Sequence, residues 1–320
     1  MLDVGEYIKD MKAIKKDGSA LRNVVNQDEY LCLQAIEQCG EYLQFVKNKT
    51  DNICMEAVKK DGLSIRFIDN PKEDICIEAV KRNGLALQYI DFSKQTERMC
   101  KIAVKNTGRA LKYAKFKTEE ICLIAVKDFG LSLEYVPNQT KEMCYFAIKD
   151  ISHALKFVKE QTDDLCMMAV KQDGLTLEYV IHKTHEICME AVKNTGNALK
   201  YVDNKNKTED IFIQAVKERG YAIKYIDNPS NKVCLEAVKR TPSSLMYIEN
   251  QTEEICKEAV MRDGFSLKYV KNQTRDICLK AIKQNKNAVY YIKDKNMDLY
   301  KKYARKKYND YYSIFNKKWR

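Results

Sequence analysis

A cysteine returns every 22 residues along most of this chain. The cysteines stand at 32, 54, 76, 100, 122, 144, 166, 188, 234, 256 and 278, only Cys39 is out of step, and Phe212 fills the one gap in register. Two of the steps are 24 residues. A period of this size marks an array of small supersecondary units and has to be read before composition or local propensity. Extending the register back to Asp10 gives thirteen units.

Three residues after the anchor stands alanine in every unit, from Ala13 to Ala281, and Val or Ile always follows it. The residue before the anchor is mostly Ile, Leu or Met, so the apolar positions fall three and four apart, as one stripe of a helix. Thr lies four residues ahead of the anchor in nine units, with Asp28 and Ser230 in two more, placed to accept from a free amide of the first turn. Gly lies eight residues after the anchor in ten units, where it reads as a helix C-cap able to take positive φ. The pattern predicts a first helix of about eleven residues.

The second half of a unit, such as GLSLEYV at 130–136, alternates like a strand. Across units the alternation is lost, because Leu131 is matched by Arg109, His153, Asn197 and Ser243. The small, aliphatic, aromatic and Val/Ile columns (Ala110, Leu111, Tyr113 and Ala114 in one unit) are spaced 0, 1, 3 and 4, which predicts a second helix of about seven residues. The aromatic column, Tyr89 to Tyr291 with Phe45, Phe67 and Phe157, reads first as core between repeats with its hydroxyls reaching the surface, and second as a platform for stacking bases. Helices this short are not stable alone in water, so each must lean on its neighbours. The expected fold class is all-α, an α-solenoid of about thirteen 22–24-residue helix-turn-helix repeats. Residues 1–26 form an atypical capping repeat, 27–297 the tandem hairpins, and 298–320 a basic, aromatic C-terminal capping helix.

The consensus T-x-E-I-C-x-x-A-V-K-x-x-G-x-A-L-x-Y-V resembles the short repeat known as domain of unknown function 4116, over about residues 5–296. The resemblance implies a helical array of a kind common in giant DNA viruses and in some bacteria and protists. It implies no catalytic residue.

The cysteine column shares its stripe with Ala and Val, and Phe212 and Asp10 replace it without disturbing the other columns. Cysteine is small, apolar and readily buried, so the column reads as packing rather than as disulfides, nucleophiles or metal ligands. The run from His182 through His185 to Cys188 has ligand residue types but straddles a helix start and lacks a fourth ligand. No phosphate loop, serine elbow or carboxylate pair appears, and no enzyme activity, cofactor or metal is expected. Five Asn-x-Thr sequons coincide with connector Asn and capping Thr, which accounts for them.

Lysine follows the Val/Ile column as a ladder: Lys59, Lys81, Lys105, Lys127, Lys149, Lys171, Lys193, Lys217 and Lys239 among others. It reads first as a solvated face with glutamates three residues earlier, and second as a basic edge for an anionic polymer. Net charge is +11, and residues 300–320 carry eight Lys/Arg against Asp310. Tail cations Lys302, Arg305, Lys306, Lys317 and Arg320 lie opposite an aromatic stripe. No apolar run reaches the roughly 20 residues of a membrane span, and the first residues lack a signal-peptide stretch, so an intracellular, reducing location is expected. The leading expectation is a non-enzymatic scaffold that binds protein. A nucleic-acid binder using the ladder and tail, or a structural part of a larger assembly, are the alternatives.

Overall fold

The computed structural model describes residues 4–294 and 297–303. Among them lie thirteen α-helices in series, each followed by a 3₁₀ helix, then a helical stretch at 298–303, and no strand. The first α-helix spans Val4–Lys16; the other twelve are ten residues long, from Glu29–Gln38 to Arg275–Gln284. The protein is an all-α solenoid. Its chain divides into two compact units, Met1–Glu160 and Gln161–Arg320, each built from stacked repeats.

Residues 50–68 show how a repeat is made. Thr50 is extended, and its hydroxyl accepts from the Ile53 amide at 3.4 Å, starting the α-helix Asp51–Lys60. That helix buries Ile53, Cys54, Ala57 and Val58, the stripe read from the sequence. Asp61 then does two jobs. Its amide donates to Ala57 O at 2.9 Å and closes the α-helix, while its carboxylate accepts from Leu63 N at 3.0 Å and opens the 3₁₀ helix Gly62–Phe67. An Asx turn of this kind reverses the backbone within one residue. Ser64 and Ile65 are buried beneath it.

Three expectations are corrected here. The second helix is six residues of 3₁₀ rather than seven of α. No glycine among the described residues has positive φ, so the glycine column is not a left-handed C-cap. What requires glycine is the approach of the next repeat: a Cβ on Gly62 would lie 2.5 Å from Ala79 O, and one on Gly264 2.6 Å from Ala281 O. Lastly, the aromatic column is not core. A 3₁₀ helix has three residues per turn, so positions three apart eclipse one another. The Leu and Val/Ile columns share one inward ridge; the aromatic shares the next ridge with the buried small residue, as Tyr113 does with Ala110, and its larger ring runs from there towards solvent. Tyr89, Tyr247 and Tyr291 are about two-fifths exposed, and every other member is half-buried.

The eleven register cysteines are buried, and Cys39, in extended backbone at a helix end, is half-buried. Burial pushes the thiols of Cys32, Cys76, Cys166, Cys188, Cys234 and Cys278 up to about 11. Thiolate is the reactive form, so native protein at neutral pH should react with a thiol reagent at Cys39 at least tenfold faster than at the register cysteines. Unfolding should make all twelve equivalent. Rapid native labelling of Cys76 or Cys166 would contradict this.

Residues 298–303 are helical, and Leu299 is buried, which seats the start of the C-terminal segment. Residues 304–320 lie outside the described residues, and with them most of the expected cap.

Candidate binding surface

Two surfaces matter, one on each layer of the repeat. On the α-helical layer the lysine ladder is exposed throughout, from Lys59 to Lys239 and including Lys105, Lys149, Lys171 and Lys217. Much of it is engaged locally. Lys59 reaches Glu56 at 2.7 Å, Lys81 reaches Glu78 at 3.8 Å, Lys193 reaches Glu190 at 4.0 Å and Lys239 reaches Glu236 at 3.0 Å. Lys127 pairs with Glu142 of the next repeat at 3.2 Å and lies 4.3 Å from the Phe146 ring centroid. Cross-repeat pairs such as Lys101–Glu120 (2.6 Å) and Lys257–Asp276 (2.7 Å) lace the same face. Exposed pairs of this kind add little stability, but they leave the helical face a mixed-charge surface.

On the 3₁₀ layer the arrangement differs. The residue before each aromatic is exposed in every repeat, and it is basic at Arg66, Lys112, Lys156, Lys200, Lys224 and Lys268; Arg22 holds the same place ahead of Asn23. Six of these cations lie over the aromatic ring that follows them. Arg66 is 4.7 Å from the Phe67 centroid, Lys112 5.5 Å from Tyr113 and Lys156 4.6 Å from Phe157. In the second unit Lys200 is 4.3 Å from Tyr201, Lys224 4.8 Å from Tyr225 and Lys268 4.6 Å from Tyr269. Hydrogen bonds to the neighbouring phenols hold Lys200 and Lys268 above the ordinary lysine range, so both stay charged. Each unit thus carries a row of half-exposed rings capped by cations. Cations over ring faces are attracted by the ring quadrupole, and an exposed aromatic–basic row is the composition of a recognition surface.

The residues that hold the two layers in register escaped the sequence reading. Gln stands five residues before the anchor at 27, 95, 139, 161, 251 and 273. Gln139 shows the geometry: Nε2 donates to Leu133 O at 3.3 Å and Phe157 O at 2.8 Å, and Oε1 accepts from Lys159 N at 2.9 Å. One amide therefore ties the end of its own 3₁₀ helix to the end of the next. The anchor thiol lies under the same oxygen, 3.8 Å away at Cys144 and 3.5 Å at Cys166. That contact gives the cysteine column a weak polar partner as well as a packing role. At the other end of the α-helix, Asn106 Oδ1 accepts from Gly84 N at 2.8 Å and its amide donates to Lys81 O at 3.0 Å, a second clamp between neighbours. Only the recurring Gln of the NQT connectors signalled any of this.

Gln95 is nearly buried and donates to Leu87 O, Ile90 O and Tyr113 O. Gln95→Met keeps the shape and leaves buried carbonyls and the Lys115 amide unpaired. It should cost about 2–3 kcal/mol, read as a lower urea midpoint.

His185 Nε2 lies 3.0 Å from Asp210 of the next repeat, and no group of three or more potential ligands for a metal is found among the described residues. No helix among them is long and apolar enough to cross a membrane. Lys302 lies 5.6 Å from the Tyr303 centroid, whereas Arg305, Lys306, Lys317 and Arg320 fall outside the described residues.

A family model described as a domain of unknown function (DUF4116) matches at 28–71, 72–118, 97–141, 162–207, 184–229 and 252–297, more than half of the chain. The chain belongs to this family. Each DUF4116 match takes in two successive repeats, the smallest block that contains one complete set of clamps. No curated protein and no solved structure matches the chain.

Proposed function

We propose that this DUF4116 array is a non-enzymatic scaffold that binds protein segments along its 3₁₀ layer. One observation carries the reading: the aromatic column stands half-exposed beside cations, where packing of the repeats alone would be served by burying it. The charge of the row favours an extended segment rich in Asp and Glu. Displayed random peptides selected on the full chain should enrich acidic sequences with aromatic or aliphatic residues between the carboxylates. The triple substitution Lys200→Glu, Lys224→Glu, Lys268→Glu should lower their affinity at least tenfold while circular dichroism stays unchanged. Selection of no sequence class, or selection unaffected by the triple substitution, would sink the proposal.

The same cations support a second reading, binding of a single-stranded nucleic acid with bases stacked on the rings. That reading requires a steep loss of oligonucleotide affinity as salt rises, because neutralised phosphates release counterions. The engaged lysine ladder does not add to it, since its carboxylate partners lie on the same face.

A further inference from the structure

Where proline replaces the clamp glutamine at position 229, the geometry points to a slot that accepts the side-chain carboxamide of Gln or Asn from a partner polypeptide. In the repeats of Gln27, Gln139, Gln251 and Gln273 the amide meets the same three main-chain groups: a carbonyl six residues before it, a carbonyl eighteen after it and an N–H twenty after it. Counted from Pro229, those groups are Ile223 O, Tyr247 O and Glu249 N, and no side chain among the described residues bonds to them. They line an open cavity of about 490 Å³ with Ile226, Cys234 and Ile248. With no amide above it, the Cys234 thiol turns to the Pro229 carbonyl, at 3.8 Å.

Among the other repeats that lack the glutamine, Lys49, Lys117 and Lys207 hold lysine in its place. Pro71 and Lys183 are each followed by one of the two 24-residue units, whose longer connectors bring a side chain to the carbonyl of that position itself. Lys94 bonds to Asn70 Oδ1 and to Pro71 O, and Asn206 donates to Lys183 O at 2.8 Å. Pro229 is followed by a connector of ordinary length, Glu249 to Thr252; its Glu249 and Asn250 line the cavity, and neither side chain bonds to the three groups. Two carbonyls and one N–H ask for a group that donates twice and accepts once. A carboxylate cannot donate, and an ammonium or guanidinium cannot accept. A primary carboxamide meets all three demands and has the size of the glutamine head it replaces. This inference rests on the polypeptide-binding reading only for the source of the amide.

The test uses ¹⁵N-labelled full-length chain titrated with acetamide. The Glu249 amide resonance should move downfield and saturate, N,N-dimethylacetamide should leave it unmoved, and Pro229→Ala should keep the response. Pro229→Gln, which restores the internal clamp, should abolish it and raise the melting temperature by several degrees. A Glu249 resonance indifferent to acetamide, or a response that survives in Pro229→Gln, would overturn the slot, and water would then be its only occupant. Lys224 also lines the cavity, so the double substitution Lys200→Glu, Lys268→Glu tests the row alone, and failure of the slot and failure of the aromatic–basic row are read separately.

Discussion

Gly62→Ala is expected to destabilise the array by about 3 kcal/mol, the upper part of the range for forcing extra volume into a packed interface. The backbone at Gly62 suits any residue, so the whole effect comes from the neighbour. The new methyl would sit 2.5 Å from Ala79 O and 2.9 Å from Asn83 N, both main-chain atoms that cannot swing aside. Gly18→Ala supplies the contrast, because its closest obstacle is the Tyr42 ring, a side chain able to turn away. The urea midpoint should therefore drop several-fold more for Gly62→Ala than for Gly18→Ala. Where the column carries a Cβ the array adjusts in two ways: residue 242 is half-buried, whereas Ser152 keeps the burial of the glycines. Equal effects at positions 18 and 62 would refute the close-approach account.

The second large effect is a loss of stability in alkali. Six register thiols are held up to about 11 by burial, against an ordinary value near 9. Above pH 9 the unfolded chain releases these protons while the folded chain keeps them. The unfolded state then binds fewer protons, and stability falls as pH rises. The contribution is complete below about pH 9 and is lost progressively through pH 11. Lysines and tyrosines titrate in the same window, so the decisive comparison is with the double substitution Cys76→Ala, Cys166→Ala. Its unfolding free energy, plotted from pH 9 to 11, should slope less steeply by up to two protons per molecule. An unchanged slope would show that these thiols ionise alike in both states.

The period, the buried stripe and most N-caps were legible because each repeats its chemistry in place: Thr50 caps its own helix, and Ile53, Cys54, Ala57 and Val58 bury one face of it. The helix type of the second half was not. Six residues make fewer than two α turns, and the spacing of Ala110, Leu111, Tyr113 and Ala114 fits a period of 3.6 or 3.0 equally well. Either period puts Tyr113 near the buried Ala110, and the exposure of its ring depends on how far the neighbouring repeats reach. Glycine was assigned a left-handed role because its commonest use lies just past a helix, whereas here the constraint comes from Ala79, seventeen residues away. The glutamine clamps were less visible still, since Gln139 bonds to main-chain groups of Leu133, Phe157 and Lys159, and a carbonyl leaves no trace in the sequence.

Each clamp closes within a pair of neighbouring repeats: a glutamine reaches eighteen to twenty residues ahead, and an asparagine such as Asn106 reaches back to the glycine before it. A gene encoding such bonds can gain or lose one whole period by unequal recombination and still leave every surviving clamp with a partner. Length is then a quantity that inheritance can adjust in fixed steps, while each repeat drifts in the side chains it shows to the outside.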